Sequence, residues 1–308
     1  MIETPMDVLK NFPVRKNKKQ KQAFRDAVQS YAQGLGYTVT VEKGSMGSKN
    51  VVIGNPAQAK YLLTAHYDTP AAMILPNLIT PCNPVTFIAY QILVVGLLMV
   101  VSIGAGVAVG VAADDPALAG SFGMLVYWIL LLMMLLGPAN KNNANDNTSG
   151  VVTVLETARA LPEHLREQVC FVLFDLEEAG LVGSSSYAKK HRKAAKYQIV
   201  LNCDCCGDGD ELVLFPMKKI KKDGAKMDAF RAVCIKDGEK SLTIREKGFA
   251  YYPSDQNKFP YGVGIAALNK GKLGLYMSRI HTKKDVCLEQ TNVNILRSAI
   301  VTYISCTK

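Results

Sequence analysis

The feature that most constrains this chain of 308 residues is a pair of long segments without any charged side chain. Residues 70–113 contain no Asp, Glu, Lys or Arg, and after Asp114 and Asp115 residues 117–139 again contain none. About 20 helical residues cross the ~30 Å hydrocarbon core of a bilayer, so each segment is long enough to span it. The sequence therefore predicts a transmembrane helical hairpin at residues 83–137, with helices at about 84–113 and 117–137.

The alternative explanation of these segments is a pair of helices buried inside a soluble core. Removing the hairpin leaves about 250 residues, enough for one large α/β domain, and such a domain rarely needs two consecutive helices that are apolar on every side. We therefore favour the membrane interpretation, with a discontinuous domain formed by residues 1–82 and 138–308. Gly106 and Gly110 have a spacing that lets membrane helices approach closely, although chance is the expected explanation in a segment so rich in Gly, Ala and Val.

Charge is distributed unevenly along the chain. The formal net charge is +10, whereas the hairpin segment contains two Asp and no basic residue. Because Lys and Arg concentrate on the cytoplasmic side of membrane proteins, we expect both termini in the cytoplasm, against an anionic bilayer, and the loop of Asp114 and Asp115 outside. The basic residues are not interleaved with aromatics in a recognisable nucleic-acid module, so no nucleic acid partner is expected.

Eight cysteines are present, three of them clustered at Cys203, Cys205 and Cys206. An even number permits disulfides, but the first 50 residues contain no apolar segment typical of a secretory signal. We therefore expect free thiols in a reducing, cytoplasmic compartment.

Apolar runs and helical periodicities alternate along the rest of the sequence. This alternation favours an α/β fold with a mostly parallel, doubly wound sheet. Strands are predicted at residues 37–41, 50–53, 61–65, 169–174, 198–202, 212–215, 231–235 and 263–268, and helices at 14–36, 151–161, 181–191 and 290–304.

Candidate metal ligands follow the predicted strands at the edge where an open α/β sheet places its site. Histidine and carboxylate ligands together suit Zn²⁺ or a similar divalent ion. The set is too large for one catalytic zinc and fits two ions that share a bridging carboxylate. The candidates are His66, Asp68, Asp146, Glu177, Glu178, Asp204 and His281.

Each of these residues has an ordinary explanation when it is taken alone. A His-x-Asp pair such as His66 and Asp68 is usually a polar strand end, and adjacent glutamates such as Glu177 and Glu178 are usually the solvated start of a helix, where the dipole favours them. It is their order and spacing together that indicate a site.

In that order the chain resembles the co-catalytic di-zinc exopeptidases of the aminopeptidase Y and bacterial leucyl aminopeptidase type (clan MH). The similarity extends over most of the sequence outside the hairpin. It rests on the strings Ala65-His66-Tyr67-Asp68-Thr69, Asn145-Asp146-Asn147-Thr148-Ser149-Gly150, Asp175-Leu176-Glu177-Glu178-Ala179-Gly180-Leu181-Val182-Gly183-Ser184, Asn202-Cys203-Asp204, Ser254-Asp255-Gln256-Asn257-Lys258-Phe259 and His281-Thr282-Lys283-Lys284-Asp285.

The resemblance implies a three-layer α/β/α sandwich, of the phosphorylase/hydrolase type, with two Zn²⁺ ions. It implies that Asp146 bridges the ions, that His66 and Asp204 complete one site, and that Glu178 and His281 complete the other. Glu177 would be the general base. It further implies that Asp68 holds the far nitrogen of His66 and that a cis peptide bond follows Asp146.

The sequence departs from this pattern in three places. The hairpin is absent from soluble members of the family. The three clustered cysteines surround Asp204, where a thiol competing for metal is one interpretation and small buried residues the favoured one. Ile280 stands where a Tyr usually precedes the last His, so the residue that stabilises the oxyanion is open, with Tyr251 and Tyr252 as substitutes.

The expected function is removal of amino-terminal residues from peptides at the cytoplasmic face of a membrane. The expected partners are the lipid bilayer and a peptide with a free N-terminus. Two alternatives remain: a glutaminyl cyclase or carboxypeptidase-type member of the same family, and a non-catalytic membrane scaffold. The complete ligand set favours two metals and therefore hydrolysis over cyclisation. The sequence indicates no oligomeric state.

Overall fold

A computed structural model describes residues 1–73, 75–236 and 240–307. Its helices are α1 (Asp7–Asn11), α2 (Lys18–Gly34), α3 (Pro84–Ala113), α4 (Pro116–Leu136), α5 (Gly150–Ala160), α6 (Val182–Lys190), α7 (Arg192–Ala195), α8 (Lys218–Lys221), α9 (Gly224–Ala232) and α10 (Gln290–Cys306). Its strands are β1 (Val39–Lys43), β2 (Lys49–Ile53), β3 (Tyr61–His66), β4 (Val169–Phe174), β5 (Ile199–Cys203), β6 (Glu211–Pro216), β7 (Ser241–Ile244), β8 (Tyr261–Gly271) and β9 (Gly274–Tyr276).

The strands form one mixed sheet in the order β1-β2-β4-β3-β5-β8-β6-β7, with β9 paired to β8. The four central strands β4, β3, β5 and β8 are parallel, and the pairings on either side are antiparallel except for β6 with β7. The prediction of a mostly parallel sheet is therefore wrong in its outer parts. Residues 44–48, which join the neighbours β1 and β2, are too few for the crossover that parallel neighbours need, so β2 reverses direction.

Helices flank this sheet on both faces because side chains alternate along each strand. In β3, Leu63 packs in the larger core cluster with α2, α5 and α10. The adjacent Leu62 packs in a second cluster with Tyr187 of α6 and Ala195 of α7. All three residues named from the second cluster are buried, so the central sheet lies between two layers of helix.

One predicted strand is wrong. Residues 231–235 begin inside α9, which ends at Ala232, and in that helix Phe230 stacks on Tyr303 with ring centroids 4.1 Å apart. A short apolar run fits a buried helix face as well as a strand. The strand in this region is β7, which the sequence analysis did not predict.

The hairpin helices α3 and α4 pack closely along glycines. A methyl group added at Gly106 would lie 2.3 Å from the carbonyl oxygen of Ala119, and one added at Gly110 would lie 2.5 Å from the Ala119 side chain. A methyl group added at Gly123 would lie 3.0 Å from the carbonyl oxygen of Ser102 on the facing helix. The spacing of Gly106 and Gly110 therefore permits the close contact of the two helices.

The remaining surface of the hairpin is exposed. Only 17% of the most apolar window of α3 is buried, and none of that of α4. The helices are not a buried pair inside a soluble core, which was the alternative interpretation. Asp115 begins α4 by accepting hydrogen bonds from the N–H groups of Ala117 and Leu118 at 2.9 and 3.3 Å, as a helix N-cap does.

The eight cysteines are all unpaired, in agreement with the expectation of free thiols.

Candidate metal centre

A cavity of about 180 Å³ opens at the carboxyl ends of the central strands. The parallel register of β3 with β4 and β5 brings the ends of three strands to the same edge, where open α/β sheets place their sites. All of the candidate residues except Asp68 line this cavity. Its lining residues are His66, Asn77, Ile79, Asp146, Glu177, Glu178, Asp204, Cys205, Tyr252, Pro253, Met277, Ile280 and His281.

Asp146 lies between two histidines. Its Oδ1 is 3.2 Å from His66 Nε2, and its Oδ2 is 3.0 Å from His281 Nε2. Asp204 Oδ1 is 3.6 Å from the same nitrogen of His66, and Glu178 Oε1 is 3.5 Å from that of His281. Each carboxylate oxygen of Asp146 therefore belongs to a separate group of ligand atoms.

The ligand atoms form three overlapping groups, each within 4.8 Å: His66 with Asp146 and Asp204, Asp146 with Glu178 and His281, and His66 with Glu177 and Glu178. Buried polar atoms are normally hydrogen-bonded. Here Asp146 Oδ1 and Glu178 Oε1 are buried without a hydrogen-bond partner in the described residues. Unsatisfied carboxylate oxygens next to imidazole nitrogens form the donor set that zinc takes, so the residues present fit this metal.

The backbone of Asp146 is fixed by Asp285. The carboxylate of Asp285 accepts hydrogen bonds from the N–H groups of Asn145 at 2.7 Å and Asp146 at 3.1 Å. Burial and the charge of Asp146 raise the pKa of Asp285 to about 8. The role of Asp285 could not be predicted from the sequence, because it depends on where two backbone N–H groups point.

The two asparagines beside Asp146 hold the segment that carries Asp204. Asn147 donates from Nδ2 to the carbonyl of Cys203 at 3.0 Å and accepts from the N–H of Cys205 at 3.2 Å. Asn145 Oδ1 accepts from the N–H of Gly207 at 2.6 Å. Two side chains thus position the backbone on both sides of Asp204. The peptide bond between Asp146 and Asn147 is cis, as the resemblance implied.

Asp68 lies beneath the cavity and connects β3 to the two glutamates. Its carboxylate accepts hydrogen bonds from the N–H groups of Glu177 at 3.0 Å and Glu178 at 3.3 Å. Its Oδ1 is 3.5 Å from His66 Nδ1, which has no hydrogen-bond partner among the described residues. Asp68 therefore fixes the glutamate backbone directly and faces His66 at a longer distance.

A buried arginine, which the sequence analysis did not identify, supports the same corner. Arg15 is fully buried and donates from Nε to the Tyr67 carbonyl at 2.6 Å and from Nη2 to Thr148 Oγ1 at 3.1 Å. Burial lowers its pKa to about 10, although Asp68 and Asp146 oppose this. Its positive charge partly offsets the cluster of carboxylates.

Burial raises the pKa values of the two glutamates well above the ordinary value, and for Glu178 the charge of Asp146 adds to this effect. For Glu177, His66 opposes this effect, whereas Glu178 and Asp255 add to it. Asp255 is itself fully buried, with both oxygens unbonded within the described chain, and burial raises its pKa to about 7. A carboxyl group with a raised pKa can carry a proton near neutral pH.

Of the three clustered cysteines, Cys205 lines the cavity and contacts a candidate ligand through its thiol. It donates to Asp204 Oδ1 at 3.2 Å, and burial together with Asp146 and Asp204 raises its pKa well above the ordinary value. A thiol held in its protonated form is a poor metal ligand, and the three groups of ligand atoms contain no cysteine. Both observations agree with the favoured interpretation of small buried residues.

The two tyrosines considered for the oxyanion differ in position. Tyr252 lines the cavity, but its hydroxyl donates to the Asp204 carbonyl at 3.0 Å. Tyr251 is 48% exposed and does not line the cavity.

One wall of the cavity comes from the segment that leads into the hairpin. Ile79 and Met277 exchange two backbone hydrogen bonds of 2.9 Å, and Asn77 lies two residues before Ile79. This wall could not be predicted from the sequence, because the pairing joins parts of the chain that are far apart in sequence.

Known proteins with similar folds include two glutaminyl cyclases and an aminopeptidase. The cyclase of Porphyromonas gingivalis has a TM-score of 0.60 at 15% identity, covering 98% of this chain and 96% of the other. The Legionella pneumophila LapA aminopeptidase has a TM-score of 0.58 at 13% identity, covering 99% and 71%. The cyclase of Macrostomum lignano has 0.54 at 14%, covering 99% and 92%.

At these identities the likeness shows the fold alone. No curated protein matches the chain in sequence. Residues 132–300, which are more than half of the chain and hold five of the candidate site residues, match peptidase family M28. The chain therefore belongs to peptidase family M28.

Proposed function

We propose that the protein is a membrane-anchored, zinc-dependent aminopeptidase. The observation that carries this proposal is the position of the Asp146 carboxylate, with one oxygen toward His66 and the other toward His281. His66, Asp146 and Asp204 would hold one zinc ion, and Asp146, Glu178 and His281 the second. When bound, zinc would polarise the scissile carbonyl and lower the pKa of a water molecule.

Glu177 has the properties of the general base. It lies in the cavity beside the ligands, its backbone is fixed by Asp68, and its raised pKa suits proton transfer near neutral pH. It would take a proton from the attacking water and return it to the nitrogen of the leaving peptide. The bond that forms is between the water oxygen and the carbonyl carbon, and the bond that breaks is the peptide C–N bond.

The free amino terminus of a peptide would bind among the carboxylates of the cavity. The cavity, of about 180 Å³, would take one terminal residue and its amine. This size, together with the family, supports action on the end of a peptide.

A membrane position is supported by the exposed surface of α3 and α4. A core helix of a soluble protein would be buried, and these helices are not. A signal sequence would lie near the N-terminus, and they begin at Pro84. The loop between them is acidic, and the rest of the chain carries the basic excess, which supports both termini and the catalytic domain on the cytoplasmic side.

The test of the base is Glu177→Gln, with the exposed Glu163→Gln as the matched control. We expect Glu177→Gln to retain zinc and to lose roughly 10²- to 10⁴-fold in kcat, the contribution of a general base. Elemental analysis and hydrolysis of an aminoacyl anilide measure the two properties. Undiminished hydrolysis in Glu177→Gln would exclude the proposed role.

The test of orientation is cysteine labelling in intact cells. Ala113→Cys should react with an impermeant maleimide, and Lys18→Cys should not. The reverse result would place the catalytic domain outside, and extraction of the protein by carbonate without detergent would show that the hairpin does not span the membrane.

The second candidate function is glutaminyl cyclisation, since similarly folded proteins include glutaminyl cyclases. Formation of pyroglutamate from a peptide with N-terminal Gln, without release of a free amino acid, would favour it.

A further inference from the structure

A second cavity, of about 590 Å³, lies against the base of the hairpin, and we propose that it binds the headgroup of an anionic phospholipid. Ala72, Met73 and Pro76 line one side, and Arg279, Lys283 and Lys284 supply the cations on the other. This inference rests on the proposed membrane position of the hairpin.

The residues that line this cavity form hydrogen bonds with the chain segments just before and just after the hairpin. The Tyr90 hydroxyl in the early part of α3 donates to the Pro76 carbonyl, and the N–H of Ala72 donates to the Pro138 carbonyl at 2.8 Å. Asn142 donates from Nδ2 to the carbonyl of Lys283 at 2.7 Å. With α3 and α4 in a bilayer, these contacts place the cavity at the depth of the headgroups.

The charges of the cavity match a phosphodiester. None of its lining residues is acidic, and Lys283 and Lys284 form no ion pair in the described part of the chain. Arg279 is partly neutralised, because its Nη1 donates to both oxygens of Asp208 at 3.1 and 3.2 Å. Two free lysines beside an apolar wall of Met73 and Pro76 suit a phosphate whose glycerol and acyl chains continue along the hairpin.

Lipid binding would also fix a wall of the metal centre. The N–H of Met73 donates to the carbonyl of His281 at 2.7 Å, so the basic segment and the candidate ligand are parts of one loop. A bound headgroup would therefore hold the catalytic domain at the membrane and restrict the motion of this loop.

The test is lipid retention by the detergent-solubilised full-length protein, measured by native mass spectrometry with equal amounts of phosphatidylglycerol and phosphatidylcholine. The test variant is Lys283→Gln/Lys284→Gln. The control is Lys193→Gln/Lys196→Gln, because these lysines are exposed and precede β5, at the opposite edge of the sheet. We expect the preference for phosphatidylglycerol to fall about thirty-fold in the test variant and to be unchanged in the control. The charge-preserving Lys283→Arg/Lys284→Arg should retain it, which distinguishes loss of charge from misfolding.

Three results would overturn the inference. The first is equal retention of both lipids by the wild-type protein, and the second is an equal loss in the test and control variants. The third is displacement of the lipid by inorganic phosphate or an acidic peptide at low millimolar concentration, which would assign the cavity to a soluble anion. Carbonate extraction of the wild-type protein separates the two proposals: a protein that stays in the membrane without lipid preference refutes only the headgroup site, whereas an extracted protein refutes the membrane anchor itself.

Discussion

The metal centre and the hairpin differ in what surrounds their side chains. In the metal centre, buried charges are held by hydrogen bonds from distant parts of the chain, and Asp285 and Asp68 each accept from two backbone N–H groups. In the hairpin, α3 and α4 contact each other through glycines and leave large apolar side chains exposed. Under the proposed function, a metal would complete the first region and lipid the second, so each would depend on a different component outside the chain.

The largest effect should follow from removing the shared ligand. Asp146→Ala takes one carboxylate from both candidate ions, so we expect loss of both metals and of hydrolysis by roughly 10⁴-fold or more. Elemental analysis and initial rates measure this, with the exposed Asp228→Ala as the control. Two bound metals in Asp146→Ala would contradict the bridging position.

A smaller effect should follow from Asp285→Asn, which keeps the shape of the side chain but weakens its acceptance from the N–H groups of Asn145 and Asp146. Groups that position a ligand typically contribute 10- to 100-fold to metal affinity, so we expect zinc affinity to fall by about that factor, measured by competition with a chelator. An unchanged affinity would show that the backbone of Asp146 needs no such support.

The pH dependence of zinc binding follows from the histidines. Burial alone would lower the pKa values of His66 and His281, but hydrogen bonds and charges of the surrounding carboxylates outweigh it and raise both. Without metal, this raised pKa stabilises the fold below pH ~6.5, and that contribution is lost as the pH rises through the folded-state pKa. Zinc must displace these protons, so apparent affinity should rise with pH by up to about ten-fold per unit for each proton released. Calorimetry in buffers of different ionisation enthalpy measures this release, and its absence would contradict the assignment.

The smallest effect concerns the hairpin. Gly106→Ala introduces a methyl group 2.3 Å from the Ala119 carbonyl oxygen, whereas a methyl at Gly104 meets nothing within 4 Å. We expect Gly106→Ala to lower the free energy of unfolding by about 1 kcal/mol or more and Gly104→Ala to leave it unchanged or raise it slightly. Thermal unfolding in detergent compares the two, and equal behaviour would show that the glycine contact does not stabilise the hairpin.

The sequence predicted which candidate ligands lie together better than it predicted the residues that position them. His66, Glu178 and Asp204 follow predicted strands, and their order along the chain is enough to bring them to one edge. The contributions of Asp285, Asn147 and Arg15 depend on which backbone groups they meet after folding, and residue type alone does not reveal that.

The prediction of strands from the sequence is limited in a similar way. Buried central strands such as β4 form continuous apolar runs that the sequence reveals. Residues 231–235 also favour a strand by composition but start in a helix, whose Phe230 stacks on Tyr303 of α10. Of these five residues, Ile235 pairs with a strand, through an isolated bridge to Leu242 of β7. The cavity wall formed by Asn77 and Ile79 was not predicted for a related reason. Ile79 pairs with Met277, and the two residues are far apart in the sequence.

The most direct test of the proposed function is the product of peptide cleavage. The zinc-loaded protein would be incubated with one peptide in two forms, with a free and with an acetylated N-terminus, and the products identified by mass spectrometry. We predict stepwise loss of amino-terminal residues from the free peptide and none from the acetylated one. Equal cleavage of both forms, or release of residues from the carboxyl end, would contradict the proposal.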